Sequence, residues 1–158
     1  MRILLSEGSG LTSRQVARQL GSLGHEVEIL SSSKICLTRF TRHVRAVHDV
    51  PRFGLDPFGW LAAAERIAGE RKTDLLFPTQ EQVTALSARQ KNLRVATIVP
   101  PFASLARVQD KISAFRTLNG IGAPQPAVGS WQAVGPIETA DCVKQCLSEG
   151  EAENICSH

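Results

Sequence analysis

The chain predicts an α/β fold: a Rossmann-like open parallel sheet of about five strands, with helices on both faces. Three observations carry that expectation. Short apolar or alternating runs are separated by stretches with helical apolar spacing. Runs such as Ile3-Leu4-Leu5 and Leu75-Leu76-Phe77 are continuous, as in strands buried inside a layered body. Glycine or proline stands at many of the joins.

Ile3-Leu4-Leu5 reads as a buried strand running into the turn Ser6-Glu7-Gly8-Ser9-Gly10. Thr12 or Ser13 caps the helix that follows, and Val16, Ala17, Leu20 and Leu23 give it an apolar stripe. Gly24 ends it, and His25–Leu30 makes a second strand, so the first thirty residues form a βαβ unit. Residues 31–42 read as a loop with at most a short helical turn. His43–Val50 alternates and makes a third strand nearer an edge. Asp56 caps a helix with Pro57 at its first position and an apolar face of Trp60, Leu61, Ala64, Ile67 and Ala68. Asp74–Phe77 is a fourth strand, broken by Pro78. Thr79 or Gln80 starts a helix bearing Val83 and Leu86. Val95–Val99 is a fifth strand closed by Pro100-Pro101, and helical stretches follow at 102–107 and 110–119.

The 158 residues suffice for one ordinary domain and part of another, and 42% hydrophobic content provides a core. Seventeen of the eighteen basic residues lie before Ala127, against ten of the fifteen acidic ones. That shift marks a change of segment. The expected organisation is an α/β domain over 1–108, the start of a second domain over 109–134, and an atypical acidic tail over 135–158. No apolar run approaches the roughly 18 residues of a membrane span. The N-terminus reads as a strand and not a signal peptide, which points to the cytoplasm. Cys142, Cys146, Cys156 and His158 could in principle hold zinc, but their spacing matches no common pattern, and free thiols are the simpler reading.

Two turns offer candidate ligand contacts. Gly8-Ser9-Gly10 is a G-x-G without the third glycine, Ser13 standing in its place. Such a turn can present backbone amides to an anion or small substrate, or simply reverse the chain. Ser31-Ser32-Ser33 stands where an acid would read a dinucleotide ribose, which argues against NAD. Phe77-Pro78-Thr79-Gln80-Glu81 ends a buried strand at the rim where open parallel sheets bind ligands, making Glu81 a second candidate. Lys34, Arg39, Arg42, Arg45 and Arg52 concentrate positive charge. The cluster reads as a solvated loop and charged edge, not a nucleic-acid surface, because few aromatic residues interleave. His43 and His48, five apart on a strand, face opposite sides and make no joint metal site.

The order of elements, with Asp110-Lys111…Leu118-x-Gly120-Ile121-x-Ala123-Pro124-x-Pro126, resembles the ATP-grasp enzymes over about residues 1–126. The nearer relatives look like the large subunit of carbamoyl-phosphate synthase and biotin carboxylase. Thr41–Arg45 with Val50-Pro51, and Leu76–Glu81, resemble segments of the same group. The resemblance implies an opening α/β domain followed by two lobes that clamp ATP, usually with two magnesium ions. Such an enzyme activates a small carboxylate as an acylphosphate. The resemblance further implies that Lys111 contacts the nucleotide. A surface lysine in the first turn of a helix is the plainer alternative.

The family's second nucleotide lysine, glycine-rich loop and metal ligands are not recognisable in residues 127–158, and Val143-Lys144 reads as part of a helix. The expectation is a truncated or frameshifted front end of an ATP-dependent carboxylate ligase, not catalytic alone, and prone to self-associate through uncovered apolar surface. Two alternatives are a free-standing α/β module that pairs with a separate ATP-grasp subunit, and a nucleotide-sugar or dinucleotide-binding Rossmann domain. Neither nucleic acid nor membrane is expected as a partner.

Overall fold

The computed structural model describes residues 1–33 and 35–125. They fall into two units, one ending at Val99 and one beginning at Pro100. The zinc candidates and the acidic tail lie outside the described residues.

The first unit is built on four parallel strands in the order β3-β2-β1-β4, namely β1 (Arg2–Leu5), β2 (Glu26–Ser31), β3 (Val44–Asp49) and β4 (Leu75–Phe77). Ile3 is level with Val27 on one side and Leu75 on the other. The chain winds outward from β1 to β3, then returns to place β4 on the opposite side of β1. That reversal puts a topological switch point between β1 and β4.

Each face of the sheet has its own core. Leu4, Leu30 and Leu76 pack with Trp60, Leu61, Ala64, Ile67 and Ala68 of helix α2 (Pro57–Glu70). Ile3, Leu5, Val27 and Ile29 pack on the other face with Ala17 of helix α1 (Leu11–Ser22) and with Cys36. Consecutive residues of β1 thus serve opposite cores, which is why its run is apolar throughout. Each fully buried leucine or isoleucine contributes about 1.5–3 kcal/mol.

Local chemistry sets the boundaries. Gly24 follows α1 with φ 84°, a left-handed conformation that a residue with a Cβ rarely adopts. Asp56 caps α2 by accepting the Gly59 amide at 2.8 Å, with Pro57 first in the helix. A 3-10 helix, Leu37–Phe40, lies within the loop after β2. Helix α3 runs from Gln82 to Ala88.

Three local expectations are corrected. Neither Thr12 nor Ser13 caps α1. Gly10 occupies the cap position, and Ser13 is buried inside the helix. Helix α3 starts at Gln82 instead of Thr79 or Gln80, because the Thr79 side chain is engaged elsewhere. Among the described residues the sheet has four strands where about five were expected. Residues 95–99 meet β4 only through a single parallel bridge between Leu76 and Thr97. Leu76 donates its amide to Ala96 O at 2.9 Å, but its carbonyl accepts the Thr97 hydroxyl at 2.9 Å. A side chain there takes the acceptor that a further strand would need from the backbone.

The second unit holds helices α4 (Phe102–Gln109) and α5 (Lys111–Gly120). Asp110 caps α5, accepting from the amides of Ile112 at 3.3 Å and Ser113 at 3.0 Å and from the Ser113 hydroxyl at 2.6 Å.

Candidate functional site

The carboxyl ends of β1, β4, β2 and β3 converge on one rim, and that rim is closed on one side and open on the other. At the switch point, side chains of the chain itself fill the space between β1 and β4. The Ser6 hydroxyl accepts the Thr79 amide at 3.0 Å and donates to Gln82 Oε1 at 3.3 Å. The Ser13 hydroxyl donates to Thr79 Oγ1 at 3.0 Å. Ser6, Ser13 and Gln82 are all buried, so these bonds pin the turn after β1 to the turn after β4.

The open side lies over β1, β2 and β3. A cleft of about 750 Å³ is lined by Glu7 and Ser9 after β1, by the three serines 31–33 at the end of β2, and by residues 49–52 at the end of β3. It carries two carboxylates, Glu7 and Asp49, one guanidinium, Arg52, and serine hydroxyls. Among the described residues, the side chains of Asp49 and Arg52 form no ion pair.

The glycine turn has a feature that sequence reasoning missed. The Glu7 carboxylate bends back over it, accepting the Ser9 amide through Oε1 at 2.5 Å and the Gly10 amide through Oε2 at 3.2 Å. Two of the donors that such a turn could present to a bound anion, the Ser9 and Gly10 amides, are already occupied by an anion of the same chain. The signal was local: a carboxylate two and three residues before these amides is within reach of them. Gly8 serves packing, since a Cβ there would lie 2.7 Å from Ile29 Cδ1 and 3.1 Å from Cys36 Sγ. A Cβ on Gly10 would collide with the Gln80 side chain.

Of the residues singled out in the sequence, Ser9 lines the cleft, and Gly8 and Gly10 shape the turn beside it. Glu81 is exposed at the start of α3, makes no capping bond, and does not line the cleft. Lys111 is the first residue of α5 in the second unit, exposed, and in no ion pair among the described residues. His48, next to Asp49, lies with Nε2 2.6 Å from Glu28 Oε2, while Arg71 donates Nη2 to Glu28 Oε1 at 2.7 Å and Nε to Oε2 at 3.0 Å. Burial pushes the Glu28 carboxyl upward. The hydrogen bonds from Arg71 and His48, with their charges, outweigh this and hold it below the usual carboxylate range.

No protein-family model and no curated sequence matches the chain. Solved structures do. The L-amino acid ligase of Bacillus licheniformis superposes with a TM-score of 0.62 at 14% identity, covering 79% of this chain and 31% of that one. The biotin carboxylase domain of a single-chain bacterial carboxylase gives a TM-score of 0.57 at 17% identity, covering 93% of this chain and 34% of that one. N5-carboxyaminoimidazole synthetase of Staphylococcus aureus, solved with ADP, gives 0.56 at 16% identity, covering 77% and 29%. The likeness is one of fold, and the chain spans about a third of each of these proteins.

Proposed function

We propose that this chain is the opening α/β domain of an ATP-dependent carboxylate ligase of the ATP-grasp type, and that its open cleft holds the small acid on which the enzyme acts. The observation that carries this reading is the β3-β2-β1-β4 parallel sheet with a polar cleft at its carboxyl rim, in a fold shared with a ligase and carboxylases.

The described residues suit holding a substrate more than driving the reaction. Arg52 offers a permanent cation for a carboxylate, and serines 31–33 offer hydroxyl donors and acceptors. In the complete enzyme ATP would supply the activating phosphoryl group. Lys111 is the residue here suited to meet a nucleotide phosphate, as a mobile point charge. Among the described residues, no three His, Cys, Asp or Glu converge on a metal site. On this reading ATP turnover requires the two nucleotide-clamping lobes in addition to this domain.

Two measurements test it. Small carboxylic acids added to the isotopically labelled chain should shift the amides of residues 31–33, 49, 50 and 52, and a coupled assay on the chain alone should detect no ADP. Absence of any shift at those amides, or submicromolar NADPH binding in the same place, overturns the reading.

One observation favours a second reading, pairing with a separately encoded catalytic subunit. Helix α5 leaves Ile112 at 52%, Phe115 at 38% and Leu118 at 42% exposure, three and six residues apart on one face. Co-purification of the full chain with such a subunit would support that arrangement, and a strictly monomeric, unpartnered chain would argue against it.

A further inference from the structure

The charge arrangement of the cleft narrows the kind of acid it accepts, an inference that rests on the proposed site above. A glycine turn leading into the twelve-residue α1 should, by its free amides and the helix dipole, attract anions. Here Glu7 is placed to do the reverse. Its two carboxylate oxygens already bond the Ser9 and Gly10 amides, and the same residue lines the cleft. A phosphate or carboxylate approaching the turn would have to expel this carboxylate or sit against it, like charge to like charge.

The opposite wall supplies the complement. Asp49 ends β3 and Arg52 lies in the short segment after it; both are exposed, and neither side chain forms an ion pair among the described residues. The lining therefore offers two carboxylates and one guanidinium across one cavity. A simple carboxylic acid would satisfy Arg52 and leave both acids facing it. A ligand with an ammonium group as well as a carboxylate satisfies all three.

We propose that Glu7 is the specificity-determining residue of this cleft, closing the glycine turn to free anions and selecting a small zwitterion of the amino-acid class. The ligand's carboxylate meets Arg52, and its ammonium lies toward Glu7 and Asp49. The turn amides act indirectly: they fix the Glu7 carboxylate, so that it meets the ligand already oriented.

The test uses the full chain, labelled with nitrogen-15, and matched pairs of probes that differ only in the amine: L-alanine with propionate, and L-glutamate with glutarate. Inorganic phosphate is the third probe. The expected result is that one amino acid, read by the shifts of the amides of residues 31–33, 49, 50 and 52, binds on the order of tenfold more tightly than its deaminated partner. Phosphate should leave the Ser9 and Gly10 amides unmoved. Glu7→Gln should abolish the preference for the amine and let phosphate reach those two amides. Arg52→Gln should weaken the amino acid and its partner alike. Both substitutions are of exposed or half-exposed loop residues, and an unchanged proton–nitrogen spectrum elsewhere verifies the fold.

Equal binding of amino acid and deaminated acid, or phosphate shifting Ser9 and Gly10 in the unsubstituted chain, overturns the role of Glu7 while leaving the cleft as a substrate site. Silence of residues 31–33 and 49–52 toward every probe overturns the cleft itself, and the proposed selectivity with it.

Discussion

Glu28 and Arg71, forty-three residues apart, form a two-pronged ion pair in which the carboxylate is 3% exposed and the guanidinium 46% exposed. Glu28 lies on β2, and Arg71 directly follows α2, so the pair ties the central sheet to the end of the helix covering it. The half-exposed arginine limits the strength of the contact, since water screens that side. The geometry is nevertheless bidentate, which favours the charged carboxylate.

Removing that charge tests the tie. Glu28→Gln keeps the shape but loses the ion pair and should lower unfolding free energy by about 1–2 kcal/mol, read from urea denaturation at neutral pH. A variant as stable as the parent would show the pair to be neutral.

Acid should act through the same residue. Because the folded-state carboxyl titrates below its ordinary value, the unfolded chain binds more protons between the two values. The stability contributed by Glu28 is thus fully present above the ordinary glutamate value, about 4.3, and is lost as pH falls through the lower folded-state value. Denaturation midpoints measured downward from pH 5 should fall less steeply in Glu28→Gln than in the parent, and parallel slopes would contradict the assignment.

The close approach at Gly8 predicts a compensating pair. Gly8→Ala places a methyl 2.7 Å from Ile29 Cδ1 and should cost about 1–3 kcal/mol by overpacking. Ile29→Val removes that terminal carbon, and the double variant should recover part of the loss. Additive losses in the double-mutant cycle would place the strain elsewhere, for example at Cys36 Sγ, 3.1 Å from the same methyl.

Trp60 is 2% exposed and meets Phe53 edge to face, with centroids 5.4 Å apart and planes at 86°. Trp60→Ala should cost about 3–5 kcal/mol, while Trp60→Phe keeps an aromatic ring and should cost less. Chemical denaturation followed by far-ultraviolet circular dichroism ranks the two.

Asp110 caps α5, and its carboxyl is held below the usual aspartate range, first by the Ser113 hydroxyl and then by the Ser113 amide. Asp110→Ala should speed hydrogen exchange at the Ile112 and Ser113 amides, whereas Asp110→Asn, still able to accept a bond, should change it less. Equal exchange in all three chains would mean that the cap contributes nothing in solution.

What the residues announced by themselves was whatever depends on near neighbours. The Asp56-Pro57 start and the Trp60, Leu61, Ala64, Ile67, Ala68 face were legible because capping and helical spacing act within a turn or two of chain. The continuous run of β1 announced burial on both faces in the same way. The Glu7 contact is equally local, since its carboxylate lies two and three residues from the amides it accepts.

Only the tertiary structure decided the contacts that close long loops. It set Glu28 against Arg71, Ser13 against Thr79, and the Thr97 hydroxyl on the carbonyl of Leu76, pairs separated by 43, 66 and 21 residues. Each residue type could equally have faced water, and nothing in its own neighbourhood chose between the two. It also decided which half of the strand rim stays open: with the hydroxyls of Ser6, Ser13 and Thr79 closing the switch point, the cleft falls over β1, β2 and β3. Local sequence fixes backbone preference and which residues are apolar, whereas the partner of a buried polar group is chosen when distant segments meet and each must satisfy its hydrogen bonds.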